Sequence, residues 1–352
     1  VQTCALPIYY EDGNSYYYII RQGIFAVLGV ALMFLISRID YHKLHTLSYP
    51  IHAVSIGLLL IVLLFGRILH IEAVAPSEGS AVRWLTLGPL TFQPSEVTKF
   101  AVILICAHYI SQHAEEMKRF TIGVLPFARW VAVPAVLIMA ENHLSGTIIV
   151  LLLGILLMFV GGTKVRWILA ILALLAVAGT LYVVFLSSYQ MDRVRIWMDP
   201  FDPELDRDLT HQTRQSLYAI GSGGLLGVGL GQSRQKYLYL PEPQNDFIFA
   251  IVCEELGFVG AIIVIILFSL LIWRGVYVSL HAKDRFGTLL GLGITFQVGL
   301  QAVLNICVVT NTIPNTGISL PFFSYGGTAL VMLLAEMGIL LNISRSAAIE
   351  MT

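Results

Sequence analysis

Long apolar runs separated by short polar breaks account for most of the chain. Nine of them are read as helices: Tyr18–Ile36, Tyr49–Leu69, Ser95–Gln112, Ile122–Ala140, Gly146–Gly162, Val165–Leu186, Phe247–Trp273, Thr288–Thr310 and Gly326–Leu341. Runs of about 17–25 residues are what a helix needs to cross a hydrocarbon layer roughly 30 Å thick. The pattern predicts an all-α polytopic membrane bundle with nine transmembrane helices. One polar interval, 187–246, is too long to be a mere connector. In it Tyr189, Val194, Ile196, Trp197, Met198 and Phe201 interleave with Asp192, Arg193, Arg195 and Asp199, a mixture suited to a short amphipathic helix at a membrane interface. Pro200 and Pro203 are expected to end it. A second helical stretch is expected over His211–Ile220, with Gln212, Gln215 and Ser216 on its polar side. Glycines 221, 223, 224, 227, 229 and 231 follow, and permit tight backbone packing or close approach to a ligand.

Composition agrees. The chain is 57% hydrophobic and 12% charged, with a mean hydropathy of +0.79. A soluble domain carries about 25% charged residues. The net charge of -1 argues against a nucleic-acid partner. Cys4, Cys106, Cys253 and Cys307 are scattered singly, without zinc-ligand spacing. Basic residues are distributed unevenly over alternate loops. Segments 37–48, 112–120, 163–167, 274–286 and 344–352 hold Arg38, Lys43, Lys118, Arg119, Lys164, Arg166, Arg274, Lys283, Arg285 and Arg345, whereas the opposite loops 70–94, 141–145 and 311–325 hold only Arg83. By the positive-inside rule the first set is cytoplasmic, so the C-terminus lies inside and 187–246 outside. The first run then enters from outside, which predicts a preceding helix and ten spans in the full protein. Val1–Ile8 is what the codons GTT CAG ACG TGT GCT CTT CCG ATC spell, part of a common sequencing adapter. Residues 1–8 are therefore read as adapter read-through and 9–352 as a single membrane domain without its first helix. No internal repeat or low-complexity linker divides it.

Polar residues inside apolar runs are expensive, and each marks a candidate site. Glu96 and Lys99 share a helix face at i, i+3. Gln297, Gln301 and Asn305 form a stripe at spacing four, continued by Asn311 and Asn315. Asp246 stands at the mouth of the Phe247 run, and Glu141 and His143 lie in an outer loop. Most of these converge on the outer half, so any chemistry is expected there. Glu254, Glu255 and Glu336 lie deeper, about 12–15 Å below that surface. Interhelical hydrogen bonding is one reading of them; a proton or substrate path is the other. The glycine run lacks the strand-then-helix context and Gly-Lys-Ser/Thr ending of a phosphate loop.

Several stretches together resemble the SEDS family of FtsW, RodA and SpoVE. They are Arg83-Trp84-Leu85 with Phe92-Gln93-Pro94-Ser95-Glu96 and Lys99; Gly221-Ser222-Gly223-Gly224; Leu240-Pro241-Glu242 through Asn245-Asp246-Phe247-Ile248-Phe249-Ala250 and on to Glu254-Glu255-Leu256-Gly257; and Pro321-Phe322-Phe323-Ser324-Tyr325-Gly326-Gly327. They follow the family's order from about residue 16 to 345. Ser233 to Tyr237 and Pro241-Glu242-Pro243 look closer to the FtsW/SpoVE branch than to RodA. Where the family has Pro-Asp-Leu-Gly-Thr, this chain has Glu141-Asn142-His143-Leu144-Ser145-Gly146-Thr147, so that loop is given no catalytic role.

The resemblance implies a SEDS-type bundle and a peptidoglycan glycosyltransferase. It would polymerise lipid II at the outer face of the bacterial cytoplasmic membrane, in division, cell-shape or spore-wall synthesis. The family's essential aspartate maps onto Asp246, a general base for the acceptor 4-hydroxyl in one inverting displacement. Arg193, Arg195, Arg214, Lys236 and Lys99 could meet the lipid pyrophosphate. Arg83, Trp84, Glu96, Gln212, Ser233, Gln235 and Ser324 complete the candidate substrate-binding set. A divalent cation, Mg or Mn, is an open cofactor. The implied partners are lipid II, a class B penicillin-binding transpeptidase and other cell-wall synthesis proteins. A lipid II flippase, with the Gln297–Asn305 stripe lining a path, is the alternative; a scaffold for the transpeptidase is a third reading.

Overall fold

The computed structural model describes residues 17–347 apart from 79, 80, 89, 187, 203, 204, 206, 238 and 242. The adapter-like residues 1–8 and Pro203 therefore lie outside the described residues. The helices are α1 (Tyr17–Ile36), α2 (His42–Val62), α3 (Pro94–Gln112), α4 (Phe120–Gly123), α5 (Leu125–Trp130), α6 (Ala132–Ala140), α7 (Leu144–Val160), α8 (Val165–Leu181), α9 (Ser188–Met198), α10 (Arg207–Gly223), α11 (Ile248–Leu280), α12 (Arg285–Val309) and α13 (Gly327–Ser346). Each of the nine expected runs is helical. Among the described residues, seven helical stretches have the length and apolarity to cross a membrane, and Leu144–Val160 is a shorter apolar helix. Pro94–Gln112 is largely buried along its length and carries Glu96 and Lys99. The chain is an all-α, multi-pass membrane protein.

Boundaries differ from the hydropathy reading where helices outrun the hydrocarbon. Helix α2 starts at His42, α11 runs to Leu280 and α13 to Ser346, because polar residues continue a helix once it has left the lipid. The run Ile122–Ala140 is three helices. Pro126 and Pro134 cannot donate to the preceding turn, and the breaks fall at Val124 and Val131. Two short antiparallel hairpins were not expected: β1 (Ser77–Glu78) with β2 (Ala81–Val82), and β3 (Leu85–Leu87) with β4 (Leu90–Phe92).

The chain divides into two compact units. One holds residues 25–171, 271–298 and 327–347. Its core is α3, in which every residue from Ala101 to Ala107 is inaccessible, packed against α2 and α7. Small residues allow the close approach. A Cβ on Gly161, just past α7, would come within 2.8 Å of Ile110 in α3. The hairpins close over Val62, Ala75, Val82 and Leu85. At the other end Tyr41 hydrogen-bonds Asp284, and Asn342 accepts from Tyr41 N at 3.0 Å and donates to Ser37 O at 2.8 Å.

The second unit holds residues 17–24, 172–270 and 299–326. The polar interval supplies α9 and α10, near the expected positions. The loop 310–326 lies against them. Asn311 Nδ2 donates to Trp197 O at 3.2 Å, and Ser216 Oγ to Val309 O at 2.9 Å.

Candidate functional site

Asp246 stands two residues before α11, half-buried, where the polar interval turns into the helix. Its backbone is held by Asn305, a fully buried residue of α12. Asn305 Nδ2 donates to Asp246 O at 2.7 Å and to Ile318 O at 2.6 Å. One amide thus ties the aspartate's turn to the loop after α12. That loop brings Gly317 against the carboxylate. Gly317 has φ 68°, and a Cβ there would lie 3.0 Å from Asp246 Oδ2. Only glycine fills this position without strain or crowding.

Asn315 organises the neighbouring turn. Its Oδ1 accepts from Gly317 N at 3.1 Å, its Nδ2 donates to Gln212 Oε1 at 3.0 Å, and its carbonyl accepts from Arg193 Nη1 at 2.6 Å. Ser324 Oγ donates to Asn245 O at 2.7 Å and accepts from Leu320 N at 2.7 Å. Gln22 Nε2 donates to Ser324 O at 3.2 Å. Of the residues expected at the site, Arg193, Gln212 and Ser324 therefore belong to the frame around Asp246. Arg195 is exposed, with its guanidinium 4.0 Å from Asp192. Arg214 donates to the carbonyls of Pro200 and Asp202 and so closes its own loop.

Ser233, Gln235 and Lys236 sit deeper in the same unit. Lys236 is 2% exposed, and its Nζ lies 2.7 Å from Glu255 Oε1. Ser233 Oγ donates to Glu254, whose carboxylate also accepts from Arg234 N at 2.9 Å and Gln235 N at 3.4 Å. The two glutamates thus bind the 233–236 turn, and the Lys236 ammonium is engaged internally. This is intramolecular pairing of the kind expected for membrane carboxylates.

The remaining expected residues lie in the other unit. Glu96 and Lys99 form a buried pair at 2.8 Å in the first turns of α3. Pro94 at its start needs no donor there. Gln297 Nε2 donates to Glu336 Oε2 at 2.9 Å, so the lower end of the glutamine–asparagine stripe is an interhelical bond. Arg83 Nη2 donates to Asn142 O at 2.7 Å, Val82 N to Glu141 O at 3.3 Å, and Arg67 to Ala140 O. These three donors satisfy consecutive carbonyls at the end of α6, where a helix leaves acceptors unpaired. Trp84, half-buried, follows Arg83 between β2 and β3. Glu141 is 1% exposed, and neither carboxyl oxygen has a hydrogen-bond partner among the described residues. Burial pushes its pKa up to about 9, with Arg83 opposing. Burial, helped by Arg83 and Lys99, lowers that of His143 to about 3. Both are neutral at pH 7.

The sequence singled out Asn305 and Asn315 as part of a polar stripe, with a role for Asn305 only as the lining of a flippase path and none for Asn315. Gly317 went unnoticed, since one glycine in a polar loop carries no signal without its φ and its neighbour. No group of three or more His, Cys, Asp or Glu among the described residues could hold a metal ion. The groups fixed around Asp246 include the Asn305 and Asn315 amides, the Ser324 hydroxyl and Gly317.

Three comparisons bear on this arrangement. A family model described as cell cycle protein, FtsW/RodA/SpoVE, matches residues 4–349. Stage V sporulation protein E of Bacillus subtilis is 38% identical over 336 residues, 96% of this chain and 89% of its own. A probable peptidoglycan glycosyltransferase FtsW of Geobacter is 35% identical over 95% of this chain and 88% of its own. Among solved structures, a chain from a peptidoglycan synthase complex superposes with a TM-score of 0.77 at 27% identity, covering 94% of this chain and 90% of that one. The rod shape determining protein RodA of Thermus thermophilus does so with a TM-score of 0.67, also at 27% identity, over 95% and 89%.

Proposed function

The chain belongs to the FtsW/RodA/SpoVE family of cell cycle proteins, and from that premise we propose how it works as a peptidoglycan glycosyltransferase, with Asp246 as its general base. The carrying observation is the mounting of one carboxylate. Asn305 fixes its backbone, Gly317 leaves its Oδ2 uncrowded, and α11 begins two residues after it.

The substrate in this reading is lipid II, a disaccharide on a polyprenyl pyrophosphate. Asp246 takes the proton of the acceptor 4-hydroxyl as that oxygen attacks the donor's anomeric carbon. The bond to the pyrophosphate breaks, and the configuration inverts from α to β. One displacement suffices, so no covalent nucleophile is needed. Of the cations expected for the pyrophosphate, exposed Arg195 is the freest to move; Arg193 is anchored to Asn315 O. A site at the bilayer edge suits a substrate whose sugar is in water and whose tail is in lipid. The basic-loop bias puts this end on the outside of the cytoplasmic membrane, with the C-terminus inside. The structural relative comes from a peptidoglycan synthase complex, which supports a class B penicillin-binding transpeptidase as partner.

The test is polymerisation of labelled lipid II by purified protein in detergent, with and without such a partner. Asp246→Ala should make no glycan chains while keeping the parent's melting temperature. Polymer formation by that variant at the parent's rate overturns the assignment.

A further inference from the structure

The glycine run after α10 occupies a break in a membrane helix. Gly257, at φ 65° and ψ -166°, interrupts α11. A continuous helix would bond Phe258 N to Glu254 O and Val259 N to Glu255 O. Here both carbonyls accept from the incoming loop: Val228 N donates to Glu254 O at 2.9 Å and Gly229 N to Glu255 O at 3.1 Å. Both amides donate to that loop instead, Phe258 N to Gly224 O at 2.9 Å and Val259 N to Leu225 O at 3.1 Å. Four bonds splice 224–229 into the gap. The glycines make this possible: a Cβ on Gly223, Gly227 or Gly257 would collide with backbone atoms of the opposite segment.

The splice fixes the loop's depth. From Ile248 to Leu256 the helix is almost wholly covered by protein; exposed apolar residues begin at Phe258 (60%) and continue to Trp273 (65%). Those sixteen positions span about 24 Å, short of the roughly 30 Å of a hydrocarbon core. The loop bonded to Phe258 and Val259 lies at the upper edge of this belt. It is there that Leu225, Leu226 and Leu230 are 72%, 79% and 69% exposed, with Val228 at 44%. The splice pairs Gly224 O, Leu225 O, Val228 N and Gly229 N, internal pairing of the kind that hydrocarbon requires of a non-helical segment.

We propose that residues 224–230 form a membrane-inserted loop whose partner is the acyl-chain layer of the leaflet on that side. It extends the lipid-facing belt of α11, and part of the long polar interval is thereby an anchor in the bilayer. The inference does not depend on Asp246 or on the reaction.

The test uses the full chain in nanodiscs of phosphatidylethanolamine and phosphatidylglycerol. Cys4, Cys106, Cys253 and Cys307 are replaced by Ala, and a nitroxide is placed on a single cysteine at 225, 226 or 230. Glu116 serves as the water reference and Leu270 as the lipid reference. Collisions with oxygen should exceed those with a water-soluble nickel chelate at all three positions, as at 270. Nickel collisions dominating, as at 116, overturn the proposal. Leu226→Trp with all four cysteines retained gives an independent reading. Lipids brominated at shallow acyl positions should quench its added fluorescence, and iodide should not; quenching by iodide alone overturns the proposal.

Discussion

Asn305→Ala tests whether the position of Asp246 is set by the loop after α12. The parent amide makes two bonds, to Asp246 O at 2.7 Å and Ile318 O at 2.6 Å, from a residue with no accessible surface. Each is worth about 0.5–1.5 kcal/mol net, and a buried acceptor left unpaired costs about 1–3 kcal/mol. Losing both should therefore destabilise the second unit by about 2–6 kcal/mol, unless water enters the space. The catalytic consequence is separable. Without the clamp the carboxylate is free to shift, and a misplacement of about 1 Å can cost about 100-fold in rate. The assays are thermal unfolding in detergent and the initial rate of glycan polymerisation at saturating substrate. Asn305→Asp should be worse than Ala, since it sets a carboxylate against two carbonyls. A variant with lowered melting temperature but the parent's rate would refute the positioning argument and leave Asn305 a purely structural bond.

Other substitutions probe the same framework. Gly317→Ala forces a left-handed φ on a residue with a Cβ, at about 1–2 kcal/mol, and crowds Asp246 Oδ2; polymerisation rate should fall with little change in substrate KM. Lys236→Met should destabilise by about 3–5 kcal/mol because it strands buried Glu255, whereas adding Glu255→Gln should recover much of the loss; denaturant unfolding of the single and double variants measures both. Glu141 has a folded pKa near 9, above its ordinary 4.5, so its contribution to stability is complete below about pH 4.5 and is lost as pH rises toward 9. His143 runs the other way, its neutral form costing stability as pH falls from 6.5 toward 3. From pH 6.5 to 9 only the Glu141 slope remains of these two. Glu141→Gln should flatten the decline in melting temperature over that window, and an unchanged slope would show that the carboxyl ionises freely in the folded protein.

Apolar run length located all nine helical stretches, because crossing hydrocarbon demands about 20 apolar residues whatever the neighbours do. Family motifs marked Asp246, and the two helices of the polar interval were legible, the first from apolar residues interleaved with charged ones and the second from the polar side formed by Gln212, Gln215 and Ser216. What no local pattern carried was pairing between segments distant in sequence. Lys236 looks like a pyrophosphate ligand until Glu255, nineteen residues on, is found to hold its ammonium. Asn305 is one more intramembrane amide until its two carbonyls come from residues 246 and 318. The glycines at 223, 227 and 257 permit many conformations, and it is the break in α11 that selects one of them. Hydrophobicity is a property of each residue and is written along the chain. Hydrogen-bond partnership and steric room belong to pairs, and only the folded backbone brings the pairs together.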